Sequence, residues 1–350
     1  MNNSNSIHIN ILKQFYRFVF VISFLGLFLF VFDYGYNQSS DVQIFLNASY
    51  FLIIVLGILS SVLRYRLKEK IIKRNVLVFD ITSILISFIV LYIHFFSEEA
   101  HRHLTFLYND NWVKFAIILT FIREFSEQNI NFKRAVLNPA QLFIVSFLVI
   151  IFVGSLLLML PNATYQGLSF TDALFTSTSA VCVTGLIVVD TGSYFTIFGQ
   201  AIILILIQIG GLGILTFASY FSYFFKGGST YENQLTLSDV TGSNKLGEVF
   251  STLKRILVIT FSIELVAALL IYLSINKTLF KTFGDQLFFS VFHSISAFCN
   301  AGFSTLQNGL YETGFKFNYV LQLILIILLI LGGLGFPILV NIIFLIKHKN

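Results

Sequence analysis

The sequence predicts an all-α polytopic membrane protein. Three observations carry that reading: scarce charge, apolar runs of bilayer length, and a segment that occurs twice. Of 350 residues, 11% are charged, 56% hydrophobic and 17% aromatic. A soluble domain carries roughly 25% charged residues, and a water-soluble surface is not covered by so few. Disorder requires low hydrophobicity, and three prolines are too few for a collagen-like chain. The formal charge of +5 is too small and too scattered for a nucleic-acid reader. Two cysteines make no disulfide framework.

Apolar runs long enough to cross a bilayer cover roughly 15–33, 46–62, 76–95, 141–160, 197–222, 256–275 and 319–346. The shorter run 112–122 is bounded by charge. It is taken as a span beginning near Leu107, because the topology then closes. Lys and Arg in short loops set the orientation. The stretch RYRLKEKIIKR after the second span carries Arg64, Arg66, Lys68, Lys70, Lys73 and Arg74 and is expected in the cytoplasm. The 34–45 connection has no Lys or Arg, and 96–110 has only Arg102, so both are expected outside. Arg123, Lys133, Lys226, Lys245 and Lys347 then fall inside, with a cytoplasmic N-terminus. The expected divisions are a membrane region of about four spans over 1–134, one unit over 135–226, a cytoplasmic connection over 227–255, and a second unit over 256–350.

Residues 161–196 and 276–318 each contain an apolar stretch too short to cross, 168–181 and 287–298. A half-length stretch between two full spans suggests a re-entrant helix, because irregular backbone at membrane depth must face protein or a wet cavity. The order span, half-helix, loop, span occurs twice. With an offset of 117, Ser179-Ala180-Val181-Cys182-Val183-Thr184-Gly185-Leu186 aligns with Ser296-Ala297-Phe298-Cys299-Asn300-Ala301-Gly302-Phe303. Ser, Ala, Cys and Gly coincide, and both cysteines of the chain share one slot. Gly210-Gly211-Leu212-Gly213 likewise matches Gly332-Gly333-Leu334-Gly335. This is a duplicated unit.

The simplest use of two such turns is an ion filter, in which backbone carbonyls replace the water shell of a monovalent cation. Gly185 and Gly302 permit torsions that a Cβ obstructs. Thr176, Ser177, Thr178, Ser179 and Thr184 satisfy backbone and line a wet path. The carboxyl end of a half-helix directs partial negative charge at a cation. The GGLG runs are read as sites of close helix packing or a kink, with Gly211 and Gly333 at the close approach. Cys182 and Cys299 are read as small packing residues, and His293 as a local hydrogen-bonding residue.

Asp80 lies near the inner boundary and is read either as a functional acid or as one that simply reaches water by snorkelling. Glu264 lies deeper and is expected to pair with a polar group, with a coupling role as the alternative. Asp172, Asp190 and Asp285 either focus the field at the outer mouth or cap helices. Residues 1–134 lack the arginine series of a voltage sensor, which leaves a scaffold or partner-contact role.

SAVCVTGL and SAFCNAGF resemble the first and second filter loops of the Trk/Ktr/HKT superfamily of potassium transporters. FTDALFTSTSAVCVTGL, VFHSISAFCNAGF, VVDTGSYFT (188–196), IQIGGLGIL (207–215) and LGGLGFP (331–337) fall in the same order, and the resemblance covers about 135–346. It implies repeated span–pore helix–span units of potassium-channel-like architecture around one central pathway. The implied filter residues are Val183, Thr184 and Gly185, then Asn300, Ala301 and Gly302. The implied function is transmembrane potassium uptake as the pore-forming subunit. A non-conducting or incomplete assembly subunit, or a sodium- or proton-coupled cation transporter, is the alternative. The implied setting is the bacterial inner membrane, among membrane lipids. The implied partner is a cytoplasmic nucleotide-binding regulatory ring. The superfamily carries four units and this chain has two. The third and fourth units, in a longer chain, or a second copy would complete the ring.

Other classes fit worse. A transporter built on inverted repeats is disfavoured, because both units here run in the same direction. An enzyme would need paired acids or histidines at ligand spacing, and His101 and His103 stand without an acid cluster. The glycine pairs lie in apolar helices rather than in a phosphate-cradling loop, so no cofactor is expected.

Overall fold

The computed structural model describes residues 2–67, 74–96, 110–126, 139–226, 245–335 and 338. It is all-α, and the described residues form no sheet beyond an isolated bridge between Thr164 and Phe195. Five helical stretches are long and apolar enough to cross a membrane: Leu12–Gly35, Ser40–Tyr65, Leu77–Phe95, Ile197–Ile214 and Lys254–Ser274. Shorter apolar helices run over Phe143–Leu158 and Tyr319–Leu334. The expected 227–255 connection lies mostly outside the described residues, as does the end of the 319–346 run.

The chain divides into two compact units, Met1–Val136 and Leu137–Asn350. In the first, α1 (Asn2–Gly35), α2 (Ser40–Leu67), α3 (Arg74–Leu91, ending in a π-helical turn) and α4 (Asp110–Ser126) pack around Leu46, Tyr50, Ile54, Ala116 and Ile117. At about 1.5 Å per residue, α4 is about 25 Å long. It buries Val113, Ala116, Ile117 and Thr120, a helical stripe. The same stripe continues into Arg123 and Glu124, which are also buried.

Among the described residues of this unit, the buried charges Arg64, Asp80, Arg123 and Glu124 are paired, as an apolar surrounding requires. Glu124 pairs with Arg64, and Arg123 reaches Asp80 at 3.0 Å. Tyr65 also donates to Asp80. Lys114 pairs with Asp33 at 2.8 Å, and Tyr50 donates to the same carboxylate at 3.2 Å. Two expectations are corrected here. Arg64 belongs to α2 rather than to a solvent loop, and Asp80 does not snorkel to water. Each is buried because a partner of opposite charge stands on a neighbouring helix.

In the second unit the helices follow one order twice. The first half has α5 (Pro139–Leu158), α6 (Phe170–Val181) and α7 (Ile197–Lys226). The second has α8 (Lys245–Ser274), α9 (Phe283–Phe298) and α10 (Tyr319–Leu334). At 12 and 16 residues, α6 and α9 fall short of a ~30 Å hydrocarbon core. Their starts are capped. Ser169 accepts from the Asp172 amide, and Thr282 forms a reciprocal capping box with Asp285. Asp190 caps the single helical turn Thr191–Tyr194. Asp190 and Asp285 thus take part in helix caps, and Asp172 accepts from the Oγ of the capping Ser169 at 2.7 Å.

Each short helix is also bonded sideways. Ser177 Oγ donates to the Ile151 carbonyl on α5 at 2.8 Å, and Ser294 Oγ donates to the Glu264 carbonyl on α8 at 2.7 Å. The core of the first half runs on into Phe292, Ala301 and Phe303 of the second. The two halves thus share packed side chains.

Candidate functional site: two matched turns

Both short helices end in the same way. The Thr184 amide donates to Ser179 O at 2.9 Å, and the Val183 amide to Ala180 O at 3.2 Å. The Ala301 amide donates to Ser296 O at 2.8 Å, and the Asn300 amide to Ala297 O at 3.0 Å. Two nested bonds of this kind make a Schellman cap, with Cys182 and Cys299 as the C-caps. The next residue takes a left-handed conformation, φ 57° at Val183 and 59° at Asn300. Glycine usually fills that position, and a β-branched residue rarely does.

Two residues further on, Gly185 and Gly302 have φ of 73° and 74°. The turns lie against each other. A Cβ on Gly185 would strike the carbonyl oxygen of Ala301, whereas one on Gly302 would meet only the Gly185 Cα at 3.6 Å. All six residues expected at the site therefore belong to two adjacent turns of matching backbone. Their carbonyl oxygens accept no hydrogen bond from any described residue, although the amides of Val183, Thr184, Asn300 and Ala301 are all engaged in the caps.

The inner helices support the turns from behind. A Cβ on Gly210 would strike the Val181 carbonyl oxygen, and one on Gly332 the Phe298 carbonyl oxygen. The first glycine of each GGLG run thus admits the last carbonyl of its own short helix. The sequence reading placed the close approach one residue later. A Cβ on Gly211 would come within 2.5 Å of the Cys299 Sγ, and one on Gly333 would meet nothing nearer than the Asn300 amide at 4.0 Å. The register differs because successive helix positions point about 100° apart.

Side chains separate the halves. Thr184 Oγ1 donates to Ser179 Oγ at 3.0 Å, while Ser296 Oγ donates to Phe303 O at 2.7 Å. The Asn300 amide inserts into the α10 hydrogen-bond ladder. Its Nδ2 donates to Leu329 O and its Oδ1 accepts from the Gly333 amide, each at 3.2 Å. Val183 has nothing to offer α7 in this way, and no residue pattern points to this role of Asn300. His293 bonds Phe289 O at 2.9 Å and Ser304 Oγ at 3.0 Å, as a local residue. Cys299 packs as expected, but Cys182 is exposed. Glu264 accepts from Gln208 Nε2 at 3.1 Å. Among the described residues, no group of three or more His, Cys, Asp or Glu side chains is placed to hold a metal ion.

Together these features define a multi-spanning, all-α membrane protein with a paired-turn site. The chain matches the TrkH family, described as cation transport protein, over residues 109–350, and it belongs to that family. This is a family of transport proteins and not of enzymes. The chain is 40% identical over 205 residues to the Ktr system potassium uptake protein B of Bacillus subtilis (strain 168), covering 59% of this chain and 45% of that protein. It is 36% identical over 198 residues to the Ktr system potassium uptake protein B of Vibrio alginolyticus, covering 57% and 43%. It is 35% identical over 204 residues to the potassium/sodium uptake protein NtpJ of Enterococcus hirae, covering 57% and 44%. The match thus spans about half the length of these relatives.

Proposed function

We propose that α5–α7 and α8–α10 are two span–pore helix–span units lining one pathway for potassium uptake. Backbone carbonyls of Val183, Thr184, Gly185, Asn300, Ala301 and Gly302 would form part of its filter. The observation that carries this reading is the pair of adjacent turns whose six carbonyl oxygens accept no hydrogen bond from a described residue. A dehydrated cation needs oxygens that are held in place and otherwise uncommitted. The caps commit the amides and leave these oxygens free. The short helices also present their partially negative ends to the same turns.

The contacts between the halves support a ring with more members. Gly211 of the first half meets Cys299 of the second. The matching positions, Gly333 and Cys182, are open. Such a head-to-tail contact continues until it closes on itself. Third and fourth units, or a second copy of this chain, would cover the open faces. In this reading the protein sits in the bacterial inner membrane with its N-terminus in the cytoplasm, and a nucleotide-binding regulatory ring docks on the cytoplasmic side. Residues 1–134 form a separate membrane region. An incomplete or non-conducting assembly subunit is the second reading, favoured by the same open faces. Sodium or proton coupling is compatible with both.

The test replaces Gly185 or Gly302 by Ser in the natural full-length assembly. Potassium and sodium flux are measured in vesicles at matched protein amounts. Selectivity or uptake is expected to fall while the protein remains in the membrane. Thr178→Ala should do less, since it leaves the turn free to form and its hydroxyl bonds Leu174 O of its own helix. Unchanged flux in both glycine variants would remove the filter from these turns.

A further inference from the structure

Glu264 on α8 is 4% exposed and stands opposite Gln208 on α7, at the seam between the two halves. The contact uses one oxygen of the acid and the amide nitrogen of the glutamine, 3.1 Å apart. That leaves Glu264 Oε2 and Gln208 Oε1, both buried and both without a hydrogen-bond partner. Two buried acceptors without a donor, on two side chains already bonded to each other, are costly in an apolar surrounding. Among the described residues, no Lys, Arg or His forms an ion pair with Glu264.

We propose that this pair is a proton-binding site, in which Glu264 is held as the neutral acid and its Oε2–H donates to Gln208 Oε1. A carboxylic acid and a carboxamide form two complementary hydrogen bonds in a closed ring, and a carboxylate and a carboxamide form only one. One added proton therefore satisfies both orphaned oxygens and removes an unpaired charge at once. The ligand is the proton itself, taken from water, and no other group changes its bonding. The surroundings agree. On α9, the titratable group facing Glu264 is the Cys299 thiol, and Ser294 takes up the Glu264 backbone carbonyl. On α7 the facing group is Gln208, which does not titrate. The only ionisable side chain of α10 is Tyr319, at its opposite end from the GGLG run. With an offset of 113, set by the serine anchors, Ile151 matches Glu264. With the GGLG offset of 122, Ile330 matches Gln208. Isoleucine therefore stands at both matching positions, buried in the core of the first half at Ile151 and exposed at Ile330, where this seam carries a proton site.

The site stands on the seam geometry and not on cation movement, so its test is spectroscopic. The full-length protein in lipid is compared with Glu264→Gln by infrared difference spectroscopy at neutral pH. The expected result is a carboxylic-acid C=O band that shifts in heavy water, is absent from Glu264→Gln, and is lost reversibly as the pH is raised. Gln208→Leu should shift that band toward a non-hydrogen-bonded acid. A difference spectrum containing only carboxylate bands at neutral pH would overturn the proposal. So would failure of Glu264→Gln to accumulate in the membrane, because an amide keeps both hydrogen bonds of the neutral pair and lacks only the proton exchange.

Discussion

The turns after α6 and α9 follow one backbone path with different side chains. Each is drawn by the same two cap bonds and by a glycine two residues past the left-handed position. At the left-handed position one half has Val183 and the other Asn300. Asparagine tolerates that conformation and also bonds α10, whereas valine gains nothing visible for its strain. At the glycine the asymmetry reverses. Gly185 is pressed against the Ala301 carbonyl, and Gly302 has room. The hydrogen bonds thus hold the matched geometry, and each half fixes its turn through a different neighbour.

The largest effect should come from the feature that the halves share without asymmetry. Gly210→Ala and Gly332→Ala each place a Cβ on a short-helix carbonyl, which cannot swing aside as a side chain can. Each should destabilise the protein by about 3 kcal/mol, read as lost membrane accumulation and earlier thermal unfolding. Gly211→Ala should cost less, about 1 kcal/mol, because the Cys299 side chain has some freedom to move. Equal tolerance at all three positions would remove the register of close approach argued here.

Next come the turn glycines, where the comparison predicts unequal outcomes. Gly185→Ser meets both a strained torsion and a backbone oxygen, and Gly302→Ser meets the strained torsion alone. Side-by-side flux assays should find the greater loss of potassium selectivity in Gly185→Ser. The reverse order would mean that Gly302 is pressed by something the described residues do not include.

Asn300→Val would make the second turn resemble the first. It removes two hydrogen bonds to α10 and adds β-branched strain at φ 59°. The expected loss is about 2 kcal/mol. The converse change, Val183→Gly, should stabilise by about 1 kcal/mol by relieving strain. Denaturation of the purified protein measures both. A destabilised Val183→Gly would show that the valine side chain has a packing role that outweighs its torsional cost.

Much of this was legible in the sequence. The apolar runs located the helices, and the 117-residue offset located both turns, because one backbone path imposes glycine at one step. Buried pairing was less visible. Arg64 and Glu124 lie 60 positions apart, and only packing brings them together. The Schellman caps were hidden because Val183 breaks the glycine preference by which such caps are read. The close approach at Gly210 rather than Gly211 depends on helix phase, which two neighbouring glycines leave undetermined.

The smallest effect on the fold belongs to Gly333, and it tests whether the open face stays open. Nothing within the described residues lies closer to its missing Cβ than 4.0 Å. Gly333→Ala should therefore change stability by no more than about 0.5 kcal/mol, whereas Gly211→Ala, at the matching position, disturbs Cys299. Leucine separates a free face from a covered one. If a further unit packs there as the second half packs on Gly211, Gly333→Leu should impair uptake by the full assembly nearly as much as Gly211→Leu. A second copy would bring its own Cys182 to this position. Gly333→Cys, in a background with Cys299→Ala, would then form a disulfide between copies. Further units in one longer chain should leave the oxidised protein monomeric on a denaturing gel. If Gly333→Leu is neutral and Gly333→Cys forms no cross-link between copies, this face is not a ring contact, and the head-to-tail contact is confined to the two halves.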